Sequence, residues 1–129
     1  MTAETTFKVT SWNESPYDEF DGGKLTRATV KKVYTGELQG EGTVEYLMTH
    51  RADGTADFVG LERIVGSLGR RAGSVVLRHE GSFVAGTVRS AWIVIPESGT
   101  GELHGLSGKI ALETGHQEEY SVTLEYELP

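Results

Sequence analysis

Glycine constrains this chain more than any other residue. Of its 129 residues 17 are glycine, about 13% against an average usage of roughly 7%. Between Gly36 and Gly115 they recur every few residues. Each interior glycine costs a helix ~1 kcal/mol relative to alanine, so that density is incompatible with helices of ordinary length. The stretches between glycines are short, rich in Val, Thr, Tyr, Phe and Ile, and alternate with period two. That is the pattern of half-buried β-strands.

The alternation gives about eight strands: Thr5 to Trp12, Leu25 to about Leu38, Thr43 to His50, Ala56 to Leu68, Ser74 to Phe83, Thr87 to Ile95, Glu102 to Leu112 and Glu119 to Leu128. A polar loop, Asn13 to Gly23, separates the first two. Asp53-Gly54 is a hairpin signal. Gly40, the 69–73 segment, Ala85-Gly86, the loop Pro96 to Gly101 and Gly115-His116 supply the remaining turns. Connections this short join antiparallel neighbours, because a parallel crossover needs a dozen or more residues. An open meander would expose two edges. The expected architecture is therefore all-β: a single closed antiparallel eight-stranded β-barrel with meander connections, one domain over residues 1–129. A barrel of that size is either filled by side chains or holds one small ligand.

Composition narrows the function classes. A net charge of −7 opposes binding to nucleic acid or a polyanionic membrane surface. The absence of cysteine excludes disulfides, thiolate metal sites and a Cys nucleophile, and it suits a reducing cytoplasm. The segment MTAETTFKVTSW has no basic stretch followed by an apolar one, so no signal peptide is read there. No apolar run approaches the roughly 20 residues of a spanning helix. A cytoplasmic protein is expected.

Alternation also assigns faces. Tyr120, Val122, Leu124, Tyr126 and Leu128 point inward, as do Val75, Leu77 and His79, and Val44, Tyr46 and Met48, with His50 at the rim. The strand Ala56 to Leu68 is apolar on both faces, Phe58, Gly60, Glu62 and Ile64 against Val59, Leu61, Arg63 and Val65. Either Glu62 or Arg63 must face inward. Glu62 is favoured because Gly60 beside it would leave room. The strand from Thr87 is similarly two-faced, and Trp92 is placed inside with Val88 and Val94.

These assignments define candidate chemistry. A carboxylate in an apolar cavity can handle a proton, which makes Glu62 the candidate catalytic group and His79 its partner. Tyr46, Phe58, Trp92 and Tyr120 are the candidate ligand-binding walls. In the opposing reading Glu62 and His79 satisfy each other in a packed core. The four histidines form no H-x-H or H-E-x-x-H pattern, so no metal and no cofactor is expected. There is no G-x-S-x-G elbow, and Pro96 to Gly101 lacks the lysine and helix of a phosphate loop.

Four stretches carry a family resemblance: Phe7-Lys8-Val9-Thr10-Ser11-Trp12 with Tyr17 downstream, Gly54 to Gly66, Gly73 to Gly81 and Ser98 to Gly108. They resemble a bacterial family of small proteins described only as a domain of unknown function, over nearly the whole chain. That family is similar in fold to the allene oxide cyclase barrel. Barrels of that kind include plant cyclases, dirigent proteins and bacterial cyclases that enclose an apolar, reactive molecule, and they tend to form oligomers. The resemblance implies the barrel and brings no site residue.

Two readings follow. In the first, the barrel binds a small, mostly apolar molecule in its lumen, with isomerase or cyclase activity as an extension. In the second, the barrel is packed, non-enzymatic, and acts as a structural or interaction protein through a homo-oligomer surface that includes Val59, Leu61, Val65, Ala91, Ile93 and Ile95.

Overall fold

The computed structural model describes all 129 residues. It contains nine β-strands and no helix: β1 (Thr2–Phe20), β2 (Gly23–Gly36), β3 (Leu38–Arg51), β4 (Ala56–Leu68), β5 (Arg71–Val84), β6 (Thr87–Val94), β7 (Thr100–Gly101), β8 (Ser107–Thr114) and β9 (Tyr120–Glu127). All pair antiparallel. The strand order is β4-β3-β2-β1-β9-β8-β6-β5-β7, and β4 also pairs with β5. With that last pairing every strand except β7 has a neighbour on both sides, so the sheet forms a ring.

Gly40 is not a turn but a β3 residue paired with Tyr34 and Gly66, the turn falling at Glu37; two longer segments also differ from the sequence reading. Asn13 to Phe20 is not a loop, and only Asp21-Gly22 forms a turn. β1 runs through that segment to Phe20, paired with β2. The turn-forming residues that disguised it sit where a strand tolerates them: Pro16 lies beside one of two register shifts, at Pro16/Asp18, and beyond Phe7 β1 has no partner on its other side. Edges and bulges are where a strand can hold proline. The second difference is Glu102 to Leu112. Here β8 begins only at Ser107. The preceding residues form turns closed by backbone bonds such as Leu103 N–H to Thr100 C=O (3.1 Å) and Leu106 N–H to Leu103 C=O (3.1 Å). Leu103 and Leu106 are both buried, but from these turns and not from a strand.

The register gives the ring two unlike ends. At one, the β2–β3 and β4–β5 turns meet residues 95–106, and Leu38, Leu68, Val94, Leu103 and Leu106 pack into the main apolar cluster. At the other end lie the β1–β2, β3–β4 and β5–β6 hairpins and the 115–119 connection. A smaller cluster, Ala28, Val30, Val44, Tyr46 and Phe58, lines the interior on that side.

Several interior glycines stand where a neighbour's bulky side chain needs the space. The room beside Gly60 is taken by the Tyr46 ring, and that beside Gly81 by the Phe58 ring. A Cβ on Gly42 would lie 2.2 Å from Oε2 of Glu62 and 3.0 Å from the Tyr34 ring. Gly42→Ala should therefore destabilise the protein by about 1–3 kcal/mol, the usual range for overpacking. Gly115→Ala, whose Cβ meets nothing closer than 3.7 Å, should stay within ~0.5 kcal/mol of the parent in the same urea denaturation series.

Candidate functional site

The interior of β2 carries the side chains Thr26, Ala28, Val30, Lys32 and Tyr34, all buried. Strict alternation thus turns Lys32 inward and leaves Lys31 outside. The inward face of β4 brings Glu62, fully buried, while Arg63 is exposed. β5 brings His79, also fully buried.

These groups meet at Glu62. Its Oε1 accepts hydrogen bonds from Lys32 Nζ (3.2 Å) and His79 Nε2 (2.7 Å), and its Oε2 accepts from the Tyr34 hydroxyl (2.6 Å). A carboxylate can only accept, so the His79 proton is assigned to Nε2. That leaves Nδ1 as the acceptor for the Tyr46 hydroxyl at 3.4 Å. The His79 ring lies against Trp92, centroids 4.2 Å apart. Lys32 Nζ sits over the faces of Trp92 (4.2 Å) and Phe7 (4.5 Å), where a cation is favoured by the ring quadrupole. No buried side-chain nitrogen or oxygen lacks a partner.

Burial pushes the Glu62 carboxyl up, but the Lys32 charge and the bonds from His79 and Tyr34 outweigh it and hold the group below its usual range. Burial lowers the Lys32 ammonium, with Glu62 opposing. Burial also dominates at His79 and, with the Lys32 charge, lowers it despite Glu62. Burial and then the Glu62 charge push the Tyr34 phenol well up. At neutral pH Glu62 is a carboxylate, His79 a neutral imidazole and both phenols neutral, with Lys32 Nζ paired to the carboxylate at 3.2 Å.

Next to it lies a cavity of about 370 Å³ lined by 19 residues, 13 of them hydrophobic. Among these, Phe7, Val30, Lys32, Tyr46, Phe58 and Trp92 are buried, Met48, His50, Thr114 and Tyr120 are half-buried, and Trp12, Glu14 and Phe83 are exposed. Gly54, at the β3–β4 hairpin, also lines it, which places the opening at the hairpin end of the ring. There Glu14 Oε2 accepts from His50 Nε2 (2.8 Å) and the Thr26 hydroxyl (2.7 Å), and Oε1 accepts from Trp12 Nε1 (3.0 Å). Partial burial opposes ionisation of Glu14, but the bonds from Thr26, Trp12 and His50 hold its carboxyl below the usual value. No group of three or more His, Cys, Asp or Glu side chains is placed to hold a metal.

All four residues read from the sequence as walls, Tyr46, Phe58, Trp92 and Tyr120, line this cavity. Glu62 and His79 are brought together, but they are fully buried and absent from its lining. Lys32 and Tyr46 stand between them and the open space. Sequence reasoning missed Lys32, Tyr34 and Glu14. The phase of Thr26, Ala28, Val30 and Tyr34 would have found Lys32; nothing marked Glu14, which lay in an apparent loop.

The fold and site define a class: an antiparallel all-β ring with a buried ion-pair cluster beside an apolar cavity. The chain belongs to the DUF3224 family, described as a protein of unknown function, whose model matches residues 3–126. It is similar to the crystal structure of a DUF3224 protein of unknown function from Shewanella oneidensis MR-1, at 29% identity and a TM-score of 0.82, covering 100% of this chain and 97% of that one. No curated protein matches significantly.

The charge state of the cluster has a pH consequence. Because folding lowers the His79 pKa from its ordinary 6.5, the unfolded chain takes up the proton first as pH falls. The stability that this group contributes is complete above pH 6.5 and is lost below it, by up to ~1.4 kcal/mol per pH unit. Glu62 and Glu14, also lowered, add their losses only below their ordinary 4.5. Urea unfolding midpoints should fall between pH 7 and 5.5, and His79→Gln should flatten that decline.

Proposed function

We propose that this chain is a closed eight-stranded barrel that binds a small, mostly apolar molecule in its lumen, with the ligand's polar end directed at Lys32. The observation that carries this reading is the cavity itself. Its 370 Å³ falls in the range of small-molecule sites, which are mostly apolar with a few placed polar groups. Here those groups are Lys32 and the Tyr46 hydroxyl at the inner end and the Glu14–His50 pair at the outer one. Isomerase or cyclase activity is an extension of the same reading. It would depend on enclosure of the ligand by Phe58, Trp92 and Tyr120, with Glu62 and His79 handling protons through Lys32 and Tyr46.

A second observation supports an interaction surface as well. Leu47, Val59, Leu61, Val65 and Ile93 are each between 43% and 55% exposed. Register places Leu47 opposite Val59, and Leu61 and Ile93 on either side of Arg78. A second copy of the chain covering this outer face would give a homo-oligomer without closing the hairpin-end opening. The two readings are compatible, and both fit a cytoplasmic protein.

Both tryptophans of the chain, Trp12 and Trp92, line the cavity, so energy transfer from them reports on its occupant. The probe 1-anilinonaphthalene-8-sulfonate, an apolar double ring with one anionic group, should bind at one equivalent and quench both. Val88→Trp, which places bulk in the cavity wall, should weaken binding roughly tenfold or more, about 1.4 kcal/mol. Absence of binding, or binding indifferent to Val88→Trp, would contradict the lumen as the site.

A further inference from the structure

We propose that Lys32 forms a reversible imine with an apolar aldehyde or ketone bound in the lumen. This inference rests on the binding reading above and goes beyond it by assigning a covalent step and a carbonyl substrate class.

Lys32 is 3% exposed, yet its side chain forms part of the cavity wall. It is the one lysine so placed. Its Nζ is held by a carboxylate at 3.2 Å and by two aromatic faces at 4.2 and 4.5 Å. These are the surroundings that an iminium needs. Ammonium and iminium carry the same charge, so the carboxylate and both rings stabilise the product as they stabilise the resting state. Imine formation therefore leaves no new buried charge. Burial among apolar groups also favours the free amine, as in lysines that form Schiff bases.

The proton path is contained in the cluster. The Lys32 ammonium gives one proton to Glu62, whose oxygen already receives that hydrogen bond. The freed amine adds to the carbonyl carbon, forming the C–N bond, while the C=O π pair takes a proton from the attacking nitrogen to give a neutral carbinolamine. Glu62 then returns its proton to the carbinolamine hydroxyl. Water leaves, and the nitrogen lone pair closes the C=N bond as a protonated imine facing the Glu62 carboxylate. Atoms and charge balance: ammonium plus carbonyl gives iminium plus water. The hydrogen bonds from Tyr34 and His79 keep Glu62 positioned throughout. The apolar walls restrict the carbonyl compound to one with a ring or short hydrocarbon body.

Cinnamaldehyde with sodium cyanoborohydride tests the step by trapping the imine as a stable amine. Peptide mass mapping should find one adduct, on Lys32, at least roughly tenfold more abundant than on exposed Lys31 next to it. Lys32→Arg, which keeps the charge but cannot form an imine, should abolish that adduct. Cinnamyl alcohol, which has no carbonyl group, should displace the naphthalene probe and suppress labelling. If the alcohol displaces the probe but the aldehyde leaves no Lys32 adduct, the covalent step is wrong and binding survives. If neither the probe nor the alcohol binds, both readings fall. Labelling spread equally over Lys31 and Lys32 also overturns the proposal.

Discussion

Everything in the interior of this ring is arranged around one carboxylate. Glu62 has no exposure to solvent, and an ion in such a place is tolerable only when paired and hydrogen-bonded. It receives three donors from β2 and β5. Removing one partner of a buried pair typically costs 3–5 kcal/mol, because the other is left uncompensated. The requirement spreads outward from there. Lys32 must face in, Tyr34 must reach Oε2, and Gly42 must lack a side chain for that hydroxyl and carboxylate to meet. His79 must stay neutral with its Nε2 proton directed at Glu62. Tyr46 then occupies the space beside Gly60 and offers its hydroxyl to the remaining His79 nitrogen.

The interior is not uniformly packed on the two sides of that cluster. On its one side, leucines from the turns and the 95–106 segment plug the ring. On the other, the strands β1, β2 and β3 extend beyond the point where β1 leaves β9 at Phe7. The walls there are carried by large rings: Tyr46 and Phe58 sit over Gly60 and Gly81 and meet each other edge-on at 5.4 Å, Trp12 stacks on Tyr46 at 6.0 Å, and Trp92 lies against Phe7 at 5.5 Å. Rings that pack edge to face along the wall hold one another in place around the open space. The cavity is thus a consequence of how the aromatic residues are seated.

Much of this was legible in the sequence, and what was not has physical causes. Period-two alternation identified most of the strands and put His79 and Tyr46 on the inside, while the strand of Trp92 is apolar on both faces and its inward placement does not follow from alternation alone. It left Glu62 and Arg63 open, since both faces of β4 are apolar, and the reason offered for Glu62 was incomplete: the space beside Gly60 belongs to Tyr46. Asp21-Gly22 is the β1–β2 turn that its residues signal; Asn13 to Phe20 was misread, being strand despite Pro16, which an edge with a register shift accommodates. Glu14 was hidden by that same misreading. Leu103 and Leu106 are buried from turns, and being three apart they would fall on opposite faces of a strand. Lys32 was legible and overlooked, because a lysine among inward positions runs against the usual preference of that side chain for water. Which interior groups touch depends on strand register, and pattern alone does not supply it.

The whole interior depends on Glu62 being ionised in the core, paired with Lys32. Carbon-13 NMR of the Glu62 side-chain carboxyl, followed from neutral pH into acid, measures this directly. The account predicts a carboxylate at neutral pH that remains ionised below its ordinary value of 4.5 for as long as the protein is folded. A carboxyl that is protonated at neutral pH, or that titrates above 4.5, would contradict it.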